Sequence, residues 1–192
     1  MVAESAGDYP QARAHFEASL AICREIGQGD TSSLYGSLGS VALAEKDYAA
    51  ARAYFEQAIA VADPYDRYNA GALCGLAEIN RREGDYPAAR AHYAQALRLE
   101  EPGALPDILL EQYASVLSAE GQTRQAVPLC AAVAAQREAR NITQSSADHA
   151  EFLNKLLADL RDQLGEAEFS TVWQQGRAMT LKQTIEYALE WA

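Results

Sequence analysis

One segment recurs along the chain. GDYPQARAHFEASL (Gly7 to Leu20), KDYAAARAYFEQAI (Lys46 to Ile59) and GDYPAARAHYAQAL (Gly84 to Leu97) are near copies of one another. Their leading tyrosines, Tyr9, Tyr48 and Tyr86, stand 39 and 38 residues apart. A fourth, weaker copy, GQTRQAVPLCAAVA from Gly121, keeps Ala126 where the others carry Ala12, Ala51 and Ala89. A near-constant period of this length commits a chain to stacking similar supersecondary units, because one unit cannot bury its apolar face alone.

Within each copy the apolar residues fall at helical spacing: Ala51, Phe55, Ala58 and Ile59, or Ala89, Tyr93, Ala96 and Leu97. Small residues alternate with large ones on that face, so each helix offers a notch for a neighbouring axis and a knob to fill the space beside it. A second set of segments lies upstream of these. SLYGSLGSVALAEK, YNAGALCGLAEINRREG and PDILLEQYASVLSAEG are also apolar at helical spacing, through Leu34, Leu38, Val41 and Ala42; Leu73, Leu76, Ala77 and Ile79; and Leu109, Leu110, Tyr113, Ala114 and Leu117. The first two end in a turn before the next aromatic, Asp47-Tyr48 or Asp85-Tyr86. The unit is therefore helix, tight turn, helix.

Tyr35, Leu38, Gly39, Ala51, Phe55 and Ala58 in one copy, and Leu73, Leu76, Ala77, Ala89, Tyr93 and Ala96 in the next, resemble the tetratricopeptide repeat. The resemblance implies an all-α, right-handed superhelical solenoid of antiparallel helix pairs, non-catalytic and built for protein–protein interaction. The chain departs from the family in two respects. Its period exceeds the usual 34 residues, and the closing proline is only approximated by Asp63-Pro64 and Pro102.

Two parts are expected: a repeat array over residues 1–140, of about three and a half repeats with the first truncated, and a helical cap over 141–192 packed on the last repeat. MVAESA reads as the last turn of a helix whose start is missing, so the chain begins inside a repeat, as a fragment of a longer polypeptide or a shortened gene start would. The helix from about Tyr9 to Ile26 then lacks a full partner, leaving Phe16 or Leu20 partly exposed at an edge that invites a homodimer. In the cap, a helix started by Ser145 or Ser146 carries Phe152, Leu153, Leu156, Leu157, Leu160 and Leu164 and ends at Gly165. Two shorter helices follow, one from about Glu166 to Gln175 and one opened by the capping-box pair Thr180 and Gln183. The tail VWQQGRAMTLKQTIEYAL, through Trp173, Gly176, Arg177, Met179, Thr180 and Ala188-Leu189, resembles the end of the repeat region in bacterial signal-transduction ATPase regulators, often of LuxR type. That resemblance implies a sensor arm. Neither a P-loop motif nor the segment a helix-turn-helix needs is found in this sequence, so neither ATP hydrolysis nor DNA binding is assigned to this chain.

Composition narrows the partners. With a net charge of −11, the chain is repelled by phosphate backbones and anionic bilayers, so direct nucleic-acid and membrane partners are not expected. The amino terminus has no secretory signal, and no apolar run is long enough to span a bilayer, which points to a cytoplasmic protein. Cys23, Cys74 and Cys130 are too far apart to suggest a metal site and read as buried or half-buried thiols. No cofactor, metal or enzymatic activity is expected. His15 and His92 share a repeat position that Tyr54 fills in the middle copy, a packing slot, and His149 offers no catalytic pattern.

Stacked hairpins line a groove with their first helices. The helical register turns Ser37, Ser40, Glu78, Arg81, Arg82, Glu111, Gln112 and Ser115 inward. Arginine there suits a carboxylate on an extended or helical peptide. The leading expectation is a non-catalytic interaction or sensing module of a larger bacterial regulator. The alternative is a free-standing adaptor or self-associating scaffold.

Overall fold

The computed structural model describes residues 8–27, 29–62, 68–99, 106–142 and 146–191, and among these it holds ten α-helices and no strand. The expected helical turn at residues 1–6 and the prolines Pro64 and Pro102 lie outside the described residues. The order is α1 (Tyr9–Ile26), α2 (Thr31–Ala44), α3 (Tyr48–Val61), α4 (Tyr68–Glu83), α5 (Tyr86–Leu99), α6 (Asp107–Ala119), α7 (Thr123–Arg140), α8 (Ala147–Leu164), α9 (Glu166–Arg177) and α10 (Leu181–Glu190). By contacts the chain divides into Met1–Glu100 and Glu101–Ala192, so α6 and α7 group with the C-terminal helices.

Local chemistry starts and stops the repeated helices. The carboxylates of Asp8, Asp47 and Asp85 accept from the amides of Gln11, Ala50 and Ala88, each at 3.1 Å. A cap of this kind contributes about 1 kcal/mol. Each hairpin turns on one left-handed residue: Lys46 (φ 64°), Gly84 (φ 83°) and Gly121 (φ 77°). Around it the amides of Asp47, Asp85 and Gln122 reach back to the carbonyls of Ala42, Asn80 and Leu117 at 2.8–2.9 Å. This is the paired closure that satisfies a helix's last carbonyls, and Lys46 accepts a conformation that suits glycine better.

In the first unit α2 and α4 lie side by side, and α3 packs against both. Its core runs through Leu20, Leu38, Ala42, Ala51, Phe55, Leu76 and Ile79. Phe55 is 2% exposed and lies between two glycines. A Cβ added at Gly39 of α2 would stand 2.6 Å from Cε1 of the ring, and one at Gly75 of α4 would come closer still to its other edge. Either side chain would have to displace a ring already held on its far side. The neighbouring positions are equally tight, with Ala51 and Ala58 buried on α3. Leu34 and Ile59, read as core, stay half-exposed at the margin, whereas Leu20 is buried and Phe16 half-buried.

Charged pairs recur at nearly the same spacing, 32 and 31 residues. Arg13 of α1 meets Glu45 after α2, and Arg52 of α3 meets Glu83 at the end of α4. Exposed pairs contribute about 0–1 kcal/mol each, so they favour one register more than they stabilise the stack.

In the second unit α6 and α7 form a hairpin, and α8, α9 and α10 gather on α7. That explains why α7 is buried on all sides over Ala126–Val133 with no single apolar face. The repeat pattern ends here, because α9, not the next helix in sequence, lies closest to α7. Gly176 permits the approach: a Cβ there would stand 2.5 Å from the carbonyl oxygen of Pro128. Ser146 caps α8 through the amide of His149 at 3.2 Å, and Thr180 with Gln183 forms the capping box of α10. Leu153, Leu156 and Leu160 of α8 are buried, while Phe152, Leu157 and Leu164 flank them half-exposed.

Phe55→Ala is expected to cost about 3–5 kcal/mol in urea unfolding followed by circular dichroism. Gly75→Ala should cost about 1–3 kcal/mol in the native background and clearly less beside Phe55→Leu, where the ring is gone. Equal costs in the two backgrounds would show that the ring does not set the spacing.

Candidate functional site

The eight residues read as groove-lining separate into different environments. In the first unit, Ser40 is exposed on α2 and its hydroxyl donates to the carbonyl of Gly36 at 3.0 Å; Ser37 is half-buried one turn earlier. On α4, Glu78, Arg81 and Arg82 form one cluster. Arg81 donates to Glu78 through Nε at 2.7 Å and Nη2 at 2.8 Å, and Arg82 donates through Nε at 2.6 Å. Helical spacing of three and four residues brings the side chains together. The guanidinium of Arg82 also lies 5.9 Å from the ring centre of Tyr48 and 3.4 Å from its hydroxyl.

The electrostatics follow from this sharing. Burial alone would raise the Glu78 carboxyl, but the hydrogen bonds from Arg81 and Arg82 outweigh it and hold it below the usual carboxylate range. Its hydrogen bonds in turn raise Arg81, while Arg82 is raised first by the Tyr48 hydroxyl and then by Glu78. One carboxylate thus serves two cations, and the cluster keeps one net positive charge in a chain of net charge −11. A guanidinium has five N–H donors, so both arginines are positioned in advance with donors left for a carboxylate ligand.

In the second unit the expectation for Glu111 is corrected. Its side chain is 1% exposed and does not face a groove. It accepts from Arg137 Nη1 at 2.7 Å and Nη2 at 3.0 Å and lies 2.8 Å from His149 Nε2; Arg137 also donates to Asp107 at 2.7 and 2.9 Å. The register of α6 alone leaves that face open, but α8 packs against α6 and closes it. Burial pushes the Glu111 carboxyl up, and Arg137 and His149 only partly offset it. His149, set aside in the sequence, is therefore part of a buried charge cluster. Nothing local in the sequence pairs residues 111, 137 and 149. Gln112 and Ser115 are half-buried, and the hydroxyl of Ser115 donates to the carbonyl of Gln112 at 2.7 Å.

A second concavity, about 280 Å³, opens between α7, α9 and α10 over Pro128, Val172, Met179, Tyr187 and Trp191, with Arg124 at its rim engaged by Glu168. Cys23 and Cys74 are half-buried and Cys130 is buried. Among the described residues no group of His, Cys, Asp and Glu is arranged to hold a metal ion, and no helix is long and apolar enough to cross a membrane.

Removing the shared cation leaves the buried Glu111 carboxylate and Asp107 without their partner. Arg137→Ala should therefore destabilise the chain by about 3–5 kcal/mol in thermal or urea unfolding. Gln112→Ala and Ser115→Ala should stay within about 0.5 kcal/mol.

A family model for the tetratricopeptide repeat matches residues 1–63 and again residues 30–101. Comparison with curated proteins and with solved structures gave no match. Helix pairs closed by the same turn, nested through small residues and covered by that model over more than half their length, lead to one conclusion: the chain belongs to the tetratricopeptide repeat family.

Proposed function

We propose that this chain is a non-catalytic interaction module that grips an acidic peptide or protein segment on the face of α2 and α4, as the sensing arm of a larger bacterial regulator in the cytoplasm. Tetratricopeptide repeats in general mediate protein–protein interaction, and the family is typically a non-catalytic scaffold. The observation that carries the reading is the cluster of Glu78, Arg81, Arg82 and Tyr48, a preorganised cation pair in the last turn of α4. The resemblance of the tail from Trp173 to Leu189 to regulator repeat regions supports the wider context. The excess of acidic groups argues against a nucleic-acid partner.

Self-association is the second reading, favoured by Ile22 and Ile26, which are 57% and 62% exposed one turn apart on α1. An isologous contact through that edge would bury both. Phe16 is a poorer target for testing it, because its ring is packed against the core.

The groove reading is tested with acidic peptides selected from a display library and measured by calorimetry. Replacing both Arg81 and Arg82 by alanine should weaken binding at least tenfold with helicity retained, since a hydrogen bond to a charged group contributes about 1.5–3 kcal/mol. Glu78→Gln, which releases both guanidiniums, should tighten it; unchanged affinity in both variants would retire the site. For the edge, sedimentation equilibrium should show a concentration-dependent dimer that Ile22→Lys abolishes, and a strict monomer at millimolar concentration would dismiss it.

A further inference from the structure

The second hairpin differs from the first at one buried position and its half-buried counterpart across the turn. Ala42 and Tyr54 stand twelve residues apart in the first, and the same places in the second hold Asn80 and His92. Asn80 is 3% exposed, yet it is polar and bonded on both sides. Arg52 of α3 donates through Nη2 to Asn80 Oδ1 at 3.0 Å and to Glu83 at 2.7 Å, while Asn80 Nδ2 lies 3.0 Å from Nδ1 of His92 on α5.

The donor pattern fixes the proton on His92. A guanidinium can only donate, so Asn80 must turn its oxygen to Arg52 and its amino group to His92. The Nδ1 of His92 must then accept, which makes the ring neutral with its hydrogen on Nε2. A protonated ring would face the Asn80 amino group donor to donor, and flipping the amide would only move the clash to Arg52. No orientation of Asn80 satisfies a charged His92.

We propose that the chain Glu83–Arg52–Asn80–His92 is an acid-sensitive joint between repeats, in which protonation of His92 breaks the Asn80 bridge and loosens α5 and the end of α4 from α3. The charged groups acting on the ring are Arg52 and Glu56 of α3 and Asp85 in the turn, and Glu83 at the end of α4 pairs with Arg52. Burial, and then Arg52, hold His92 below the usual histidine range against the opposing pull of Asp85 and Glu56. The closed joint thus refuses a proton that the opened chain accepts. Its stability is full above the ordinary histidine value, about 6.5, and drains as pH falls below it. Because α4 also carries Arg81 and Arg82, the candidate binding face rests on this joint.

Amide hydrogen exchange on the full chain tests it at Gly84, Asp85 and Ala89, whose amides bond the carbonyls of Arg81, Asn80 and Asp85. Protection factors, corrected for intrinsic exchange, should fall by up to about tenfold between pH 7.5 and 5.5, one proton's worth of linkage. His92→Gln keeps an acceptor but cannot titrate, and the paired change Asn80→Ala with His92→Tyr rebuilds the apolar pair of the first hairpin; both should be flat over that range. His15→Tyr, at the exposed counterpart, should keep the native fall. A flat native profile, or a tenfold fall that persists in His92→Gln, would overturn the proposal.

Discussion

The phenyl ring of Phe55, held edge to edge between the backbones of Gly39 and Gly75, sets how closely α2, α3 and α4 can nest. A glycine inside a helix costs about 1 kcal/mol relative to alanine, and two of them flank this ring. Burying the phenyl group returns about 1.5–3 kcal/mol, and the closer helix approach adds dispersion contacts along the whole seam. Buried Ala51 and Ala58 extend the same logic along α3. The next copy keeps the small and large alternation with Ala77, Ala89, Tyr93 and Ala96, all buried, in place of the glycine-flanked phenyl ring.

Polar chemistry in the fold is sorted by burial. Arg13 with Glu45 and Arg52 with Glu83 sit near the surface, where water weakens them, and serve to align neighbouring helices. Arg137 with Asp107, Glu111 and His149 is enclosed by α6, α7 and α8, where every member needs its partners. Glu78 with Arg81 and Arg82 lies between these extremes: shielded enough to be ordered, yet with Arg82 open to solvent. The same arginine–carboxylate chemistry therefore gives register in one place, internal cohesion in another and a surface suited to recognition in a third.

The pair Asn80 and His92 shows how a repeat array can acquire a property its copies lack. A hydrophobic slot filled by Ala42 and Tyr54 in one hairpin becomes, in the next, a hydrogen-bonded bridge with a single allowed protonation state. Such a bridge is costly to leave half-made, so a change at one ring nitrogen reaches three helices.

Most of the helical architecture was legible in the residues because its causes are local. The bounds of α1 follow from Asp8-Tyr9 at one end and Gly27 at the other, those of α8 from Ser146 and Gly165, and the nesting surface from alanine and aromatic spacing on α3 and α5. Those signals act within a few residues of backbone and need no partner to be read. Glu111 shows where that reading stops. Its place on α6 was correct as helix geometry, but whether that face met solvent depended on α8, which returns from about 40 residues downstream. The neutral state of His92 is likewise invisible in sequence, since it follows from Arg52 and Asn80 arriving from two other helices. Periodicity and capping determined which segments are helices and which faces are apolar; only the packed helices decided which charges are buried, which are paired and which remain for a partner, because burial and pairing are properties of side chains brought together from distant parts of the chain.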